Sequence, residues 1–191
     1  VKSSLVDGST GTLIYKEDLS MEQPVVSGIM SDKNQAKITI KGVPDQPGIA
    51  SKFFTGLAEA NLSVDMIIQN VSEEGHADIS FTVTKEDINE ATIIVNKLGK
   101  VIGAREIRSD SDICKVSIVG AGMRSNPGVA AKMFSALSGE NINIIMISTS
   151  EIRVSCIIDE KYGELAVRVL HNTFNINAGE KTELDNGVQT A

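Results

Sequence analysis

Apolar and polar positions alternate, then take helical spacing, then alternate again along the first half of the chain. Residues 37–41 alternate Lys, Ile, Thr, Ile and Lys, which predicts a strand with one buried face. Pro47-Gly48 follow a turn and are predicted to open a helix, because proline lacks an N–H that would be unpaired there. The apolar face of this helix is formed by Ala50, Phe54, Leu57 and Ala58.

Further strands are predicted at 62–71, 77–83 and 104–108, and a second helix over 88–98. The resulting order, βαββαβ, is that of the ferredoxin-like split unit. The same order begins again later in the chain, with strands at 115–120, 142–149 and 152–158 and helices at 127–139 and 160–173.

An internal repeat underlies the two units. At an offset of 80 residues, Pro47-Gly48 falls on Pro127-Gly128. The further matches are Lys52 on Lys132, Phe54 on Phe134, Leu57 on Leu137, Asn61 on Asn141 and Met66 on Met146. The second unit lacks a fourth strand, whereas the apolar stretch 24–30 (PVVSGIM) has no other assignment. We therefore expect this stretch to complete the second sheet, with the first unit inserted in the second.

The fold class predicted is α+β: two ferredoxin-like βαββαβ modules with antiparallel sheets, the first inserted in the second. The boundaries predicted are 1–21 for a leading segment and linker, 33–111 for the first module and 22–32 plus 112–176 for the second. Residues 177–191 are polar, with Gly and Asn but no aromatic residue, and are predicted to be a disordered tail.

Composition excludes several classes of partner. The 191 residues carry a net charge of −7, and the 18 Lys and Arg form no long basic run, so nucleic-acid binding is not expected. No stretch approaches the ~18 consecutive apolar residues of a membrane span. Cys114 and Cys156 are too few for a disulfide framework and are expected to be reduced core residues, which favours a cytoplasmic location.

Catalytic and metal-binding patterns are not found. His76 and His171 stand alone, without a second ligand at metal spacing, and are interpreted as surface or edge histidines. Gly120 and Gly122 follow a predicted strand as in a dinucleotide-binding turn, but Ser125 stands where the third glycine is required. We therefore predict no catalytic residue, no metal and no nucleotide site.

Two sets of motifs stand at matching places in the two units. Gly42-x-x-Asp45-x-Pro47-Gly48 and the string DMIIQNVS at 65–72 are similar to the first ACT module of aspartate kinases. The strings VGAGM at 119–123 and ISTSEIR at 147–153, with Pro127-Gly128 between them, are similar to the second. The resemblance covers roughly residues 1–176.

The resemblance implies a regulatory role. Such a chain binds an end-product amino acid at interfaces between ACT modules and transmits allosteric feedback inhibition to aspartate kinase, the first step of lysine, threonine and methionine biosynthesis. It also implies a homodimer formed through the ACT modules and a catalytic subunit or domain as partner.

The leading segment adds to the resemblance. Residues 1–4 and 11–14 resemble the end of the family's kinase domain, but the Lys-Phe-Gly-Gly motif that binds ATP phosphates is missing. We therefore expect no cofactor in this chain, since ATP and Mg would belong to the missing kinase domain. The chain is then either a separate regulatory subunit or a fragment, with a start at Val favouring the latter. The alternative is a stand-alone ACT-pair sensor that acts on another enzyme or regulator.

A first effector site is predicted at the start of the first helix. Unpaired N–H groups and the positive end of the helix dipole suit the carboxylate of a free amino acid. Asp45 is suited to hold its ammonium group, and Gln69 and Asn70 a side-chain hydroxyl. The set predicted for threonine comprises Asp45, Pro47, Gly48, Ile49, Ala50, Gln69 and Asn70, with Asn143 and Ile144 of a partner chain implied by the resemblance. Alternatively, Asp45 caps the helix or holds the turn, and Gln69 and Asn70 are ordinary edge-strand residues.

A second effector site is predicted around the start of the second module's first helix. Its residues are Asn126, Gly128, Val129, Ala130, Ser150 and Glu151, with Asp65 and Met66 from a partner's first module. The two carboxylates could pair with a lysine ammonium, so lysine is the second effector considered. Alternatively, Asp65 and Glu151 are solvated charges, and Met66 and Met146 are core residues.

Overall fold

Alternating strands and amphipathic helices build the structure, a computed structural model that describes residues 25–71 and 75–176. The strands are β1 (Gly28–Pro44), β2 (Ile67–Val71), β3 (His76–Val83), β4 (Glu106–Val119), β5 (Met146–Thr149) and β6 (Arg153–Asp159). The helices are α1 (Ile49–Glu59), α2 (Ile88–Ile102), α3 (Val129–Gly139) and α4 (Gly163–Phe174), with short 3₁₀ turns at Ala121–Ser125 and Glu160–Tyr162. The predicted leading segment 1–21 and tail 177–191 lie outside the described residues.

All six strands belong to one antiparallel sheet in the order β2-β3-β1-β4-β6-β5. The later part of β1 pairs with β3, as in Ile38 opposite Phe81, and forms the first module with β2 and the start of β4. The beginning of β1, Gly28–Asp32, pairs with Val119–Lys115 at the end of β4. The stretch just before the first module therefore supplies the missing strand of the second, which confirms the predicted fold class.

The two sheets are joined, which the sequence pattern did not predict. Residues 104–108 and 115–120 were expected to be separate strands, but they belong to the single strand β4. Between them lies the polar run 109–112, which breaks the alternation of apolar residues. The chain nevertheless stays extended there because β1 continues to pair with it.

Several further boundaries of helices and strands differ from prediction. The first helix begins at Ile49 rather than Pro47, because Gly48 has a left-handed φ of 91° that no helical residue adopts. Strands were predicted over 62–71 and 142–149, whereas the ladder includes only Ile67–Val71 and Met146–Thr149. The apolar residues Leu62 and Ile142 in the preceding segments are buried in the cores without being strand residues.

Each module buries its own core between helices and sheet. Phe53, Leu57 and Phe81 are fully buried in the first module, and Met133, Leu137 and Ile158 lie in the second. Burial of such side chains is the dominant favourable term in folding, about 1.5–3 kcal/mol for each.

A third apolar cluster, the inter-module cluster, joins the two modules on the face of the sheet that lies away from the helices. Its buried members are Met66, Ile113, Met146 and Ile157, with Ile68 packed against them. The register of β1 against β4 shifts between Asp32 and Lys37, and such irregularities bend a strand. The bend explains how residues near the two opposite edges of one sheet come into contact.

No helix within residues 25–71 and 75–176 combines the length and the apolar character needed to cross a lipid bilayer.

Candidate functional site

A cavity of about 410 Å³ lies at the start of α1, within the range typical of small-molecule sites. The apolar part of its wall comes from β1 and β3, and its polar part from the loop before α1 and from β2. Its lining residues are Val43, Pro44, Asp45, Gln46, Pro47, Gly48, Ile49, Ala50, Gln69, Ala77 and Ile79. Six of the residues predicted for threonine, all except Asn70, Asn143 and Ile144, are therefore brought together around this first cavity.

The N-terminus of α1 supplies unpaired donors to the first cavity. The Ile49 N–H donates to the Gln46 carbonyl at 3.3 Å, and the Lys52 N–H donates to the Gly48 carbonyl at 3.0 Å. Among the described residues, the N–H groups of Ala50 and Ser51 have no backbone acceptor. Gly48 has no side chain, and a Cβ there would meet no atom within 4 Å, so the space beside this end of the helix is open. Its left-handed φ disfavours other residues at this position.

Asp45 does not cap α1, which answers one alternative left open by the sequence. Gly48 occupies the N-cap position, and no side chain accepts a hydrogen bond there. The backbone of Asp45 is held by its N–H, which donates to the Gly75 carbonyl at 3.0 Å. Within the part of the chain that the structure describes, the exposed carboxylate makes no hydrogen bond or ion pair, and it lines the first cavity.

Strand β2 separates Gln69 from Asn70. Gln69 lies opposite Ile79 and Ile67 opposite Phe81, on the face that packs against the helices. Successive strand residues point to opposite faces, so Asn70 lies on the other face, opposite Asp78. Within one chain, Asn70 therefore does not line the first cavity.

The other residues predicted for the first site lie in the second module. Asn143 is exposed just before β5, and Ile144 is half-buried against the core of the second module. The sequence assigned both to a partner chain, and neither lines the cavity within this chain. Their assignment stays a prediction.

A second cavity, of about 220 Å³, lies between the modules. Its lining residues are Asp65, Met66, Lys115, Ser148, Thr149, Ser150, Ile152, Arg153 and Ser155. Three of the residues predicted for lysine, Asp65, Met66 and Ser150, meet here. Asp65 and Met66 reach it within the same chain, whereas the sequence had assigned them to a partner.

The remaining residues of the predicted second set stand apart from this cavity. The lining of the second cavity does not include Asn126, Gly128, Val129, Ala130 or Glu151. The Val129 side chain is buried in the second module's core, and the Asn126 amide donates to the Gly122 carbonyl at 2.8 Å. The predicted second set is therefore divided between the start of α3 and the inter-module cavity. The reason is that the inter-module cavity opens on the face of the sheet opposite α3.

Six residues that line the second cavity were missed by the sequence reasoning: Lys115, Ser148, Thr149, Ile152, Arg153 and Ser155. Thr149 falls on Gln69 at the offset of 80, so the repeat indicates it as a site residue, although for a pocket at the start of α3. Its Cα partner is Val154, which places Thr149 on the helix-packing face of β5 as Gln69 is on β2. Lys115 had no such signal, because its contact with Asp65 joins residues 50 positions apart.

The two thiols are core groups. Burial raises the pKa of the Cys156 thiol to about 12 and also raises the pKa of Cys114. His76 lies half-buried with its Nδ1 atom 3.4 Å from Arg105, and His171 is half-buried on α4. No group of three His, Cys, Asp or Glu side chains suited to a metal ion occurs within the described ranges.

Comparisons with known proteins agree with the two-module fold. ACT-domain family models match residues 37–103 and 116–174. An aspartate kinase of Stutzerimonas stutzeri (strain A1501) is 54% identical over 169 residues, which cover 88% of this chain and 41% of that protein. The chain thus spans about two fifths of the length of the curated relatives it matches.

Solved structures give the same result. The regulatory subunit of aspartate kinase from Thermus thermophilus, in its ligand-free form, is 45% identical with a TM-score of 0.75, over 78% of this chain and 99% of that one. A structure of aspartokinase alpha and beta subunits is 55% identical with a TM-score of 0.74, over 78% and 99% of the two chains. Since the similarity spans nearly the whole of these subunits and both modules match ACT domains, the chain belongs to the aspartate kinase family and corresponds to its regulatory, tandem-ACT part.

Proposed function

We propose that this chain senses threonine in the first cavity and transmits feedback inhibition to the catalytic part of an aspartate kinase. The observation that carries the proposal is the meeting of three chemically different groups around one cavity: the start of α1, the Asp45 carboxylate and the Gln69 amide. An amino acid has a carboxylate, an ammonium group and a side chain, and each has a suitable partner here.

The assignment to threonine rests on the wall opposite α1. The Ala50 and Ser51 N–H groups are suited to the ligand carboxylate, and Asp45 to its ammonium group. Val43, Ala77 and Ile79 offer an apolar surface to a methyl group. Gln69 is then left for the hydroxyl, which distinguishes threonine from valine.

Homodimer formation is part of the proposal. β2 and β5 form the two edges of the sheet, and edge strands present unpaired backbone groups. Ile67 and Val71 on β2 are 52% and 62% exposed, and Ile147 on β5 is 41% exposed. A second copy that covers these edges would also bring Asn143 and Ile144 to the first cavity of its neighbour. We further propose a cytoplasmic location, in keeping with the free thiols.

Lysine is proposed as a second effector, at the inter-module cavity. Asp65 and the hydroxyls of Ser148, Ser150 and Ser155 supply acceptors there. The catalytic part would supply ATP, Mg and aspartate binding. Effector binding would shift the assembled enzyme toward an inactive arrangement, with a coupling free energy of about 1–3 kcal/mol.

Calorimetric titration tests the first site. L-Threonine and L-valine are titrated into the wild-type chain and into the Gln69→Ala and Asn70→Ala variants. Loss of the hydrogen bond from Gln69 should weaken threonine binding by roughly 2- to 12-fold, from about 0.5–1.5 kcal/mol. Valine binding should change little, because valine has no hydroxyl for Gln69 to recognise.

Asn70→Ala is the matched control, since it removes an amide from the other face of the same strand. Equal threonine affinity in wild type and Gln69→Ala would contradict the proposed site. Gly48→Val should also weaken threonine binding, because a β-branched residue is strained at a φ of 91° and its side chain would stand at the helix start.

The regulatory part of the proposal needs the kinase. The chain is assembled with the family's catalytic part, and aspartate kinase activity is measured against threonine concentration. Gln69→Ala should move half-inhibition to a higher threonine concentration by the same factor as its loss of affinity. Inhibition that stays unchanged in a variant with weakened threonine binding would contradict transmission from this cavity.

A further inference from the structure

Lys115 bridges the two modules from the middle of the sheet. It lies on β4, opposite Asp32 of β1 and Ile157 of β6, on the face that carries the inter-module cluster. Its side chain is only 16% exposed although it carries a charge. The ammonium group donates directly to the Asp65 carboxylate of the first module and lies 3.8 Å from Asp32.

The partner of Lys115 is held in place by its backbone. The Asp65 N–H donates to the Thr82 carbonyl at 3.0 Å, and the next residue, Met66, is buried in the inter-module cluster. Asp65 is therefore fixed beside Lys115 rather than pointing freely into solvent, although its side chain remains 43% exposed at the cavity.

The pair changes the charge that the second cavity offers to a ligand. The charged residues in its lining are Asp65, Lys115 and Arg153, two cations and one anion. The one carboxylate is already paired with a cation that belongs to the protein. An ammonium group on a ligand side chain must therefore displace Lys115, whereas a neutral side chain need not.

We propose that Lys115 determines the selectivity of the inter-module cavity, by holding the Asp65 carboxylate as a tethered ammonium group that competes with cationic ligands. The inference rests on the proposed function, since it concerns an amino acid bound in this cavity. Lys115 competes well because it belongs to the same chain as Asp65 and already lies beside its carboxylate, so it loses no translational freedom on pairing. Occupied in this way, Asp65 receives the ε-ammonium group of lysine only when Lys115 is displaced, which lowers the affinity for lysine without abolishing it.

L-Lysine and L-norleucine, which lacks the ε-ammonium group, are the probes. Both are titrated calorimetrically into wild type and into Lys115→Met, which keeps the apolar stem of the side chain. Removal of the competing cation should tighten lysine binding by roughly 3- to 10-fold, as expected for a partly buried pair, and leave norleucine within twofold. Asp65→Asn added to Lys115→Met should cancel the gain.

Two variants separate selectivity from a general loosening of the modules. Lys115→Arg retains a cation and should keep the wild-type ratio of lysine to norleucine affinity. Lys85→Met breaks another ion pair between the modules, from Lys85 to Glu160 at 2.6 Å, whose members do not line the cavity. It should leave lysine binding unchanged. Urea unfolding of each variant confirms that the chain is folded. If Lys115→Met is unfolded, Asp65→Asn alone replaces it. That variant should weaken lysine binding but not norleucine binding.

Several outcomes would overturn the inference. An unchanged ratio of lysine to norleucine affinity in Lys115→Met would show that Lys115 does not compete, and an equal gain in Lys85→Met would assign the effect to loosening. Lysine binding to none of these proteins, with threonine binding intact, overturns the role of Lys115 and leaves the first site standing. Loss of threonine binding in wild type would instead be a failure of the proposed function.

Discussion

Ile157 provides a direct test of whether the inter-module cluster holds the two modules together. It is fully buried on β6 and faces Met66 and Ile113, whereas its neighbour Ile158 is equally buried and faces the core of the second module. Replacing a buried isoleucine by alanine costs about 2–5 kcal/mol through lost burial and the remaining cavity. At about 2–4 °C per kcal/mol for a chain of this size, each variant should lower Tm by roughly 4–20 °C.

The two variants should differ in where the chain loosens. Amide hydrogen exchange is followed at Asp65, whose N–H is bonded to the Thr82 carbonyl at 3.0 Å in the first module. Ile157→Ala should speed exchange at Asp65 by more than its loss of global stability accounts for. Ile158→Ala should not, because its side chain belongs to the core of the second module. A change in unfolding free energy below about 0.5 kcal/mol in Ile157→Ala, or equal exchange at Asp65 in both variants, would refute the contact between the modules.

Two further predictions concern packing and pH. Gly120→Ala should destabilise the chain by about 1–3 kcal/mol or more in urea unfolding, because a Cβ there would lie 2.1 Å from the Val25 carbonyl oxygen, whereas Gly139→Ala meets no atom within 4 Å and should be neutral or slightly stabilising. In the unfolded chain the Cys156 thiol has the ordinary pKa of 9.0, whereas burial raises its pKa in the folded chain to about 12. Between these values the unfolded chain loses a proton that the folded chain keeps. The contribution of this thiol to the free energy of unfolding is therefore intact below pH 9 and is lost as pH rises from 9 toward 12. Stability measured across this range should fall more steeply in wild type than in Cys156→Ala, and a thiol reagent at pH 8 should modify Cys156 only after denaturation; fast modification of the native protein would contradict its burial.

Much of the first cavity could be predicted because its determinants are local. The loop from Pro44 to Gly48 and the start of α1 are adjacent in sequence, and the unpaired N–H groups follow from any helix start. Gln69 could be included in the predicted site because the strand that follows α1 must run back along the sheet beside the start of that helix. Asn70 could not be excluded in advance, since the face of a strand residue is known only when its register with β3 is known.

The second cavity was harder to predict because it lies between modules. The repeat led to the start of α3 by analogy with α1, and the predicted set also included Asp65 and Ser150, which line this cavity. It gave no indication that Asp65 meets Lys115, because that contact depends on the bend of β1 and β4 and on the packing of Met66 against Ile113.

The sequence by itself determined the two βαββαβ units, their repeat at 80 residues and the strand contributed by residues before the first unit. These follow from periodicity, which is set by the geometry of helices and strands and needs no knowledge of distant contacts. Only the tertiary structure decided that β1 and β4 run through both modules, that Gln69 and Asn70 face opposite sides, and that Lys115 occupies the Asp65 carboxylate. Each of these depends on strand register and on contacts between residues far apart in the chain, and no local pattern of apolar and polar residues specifies them.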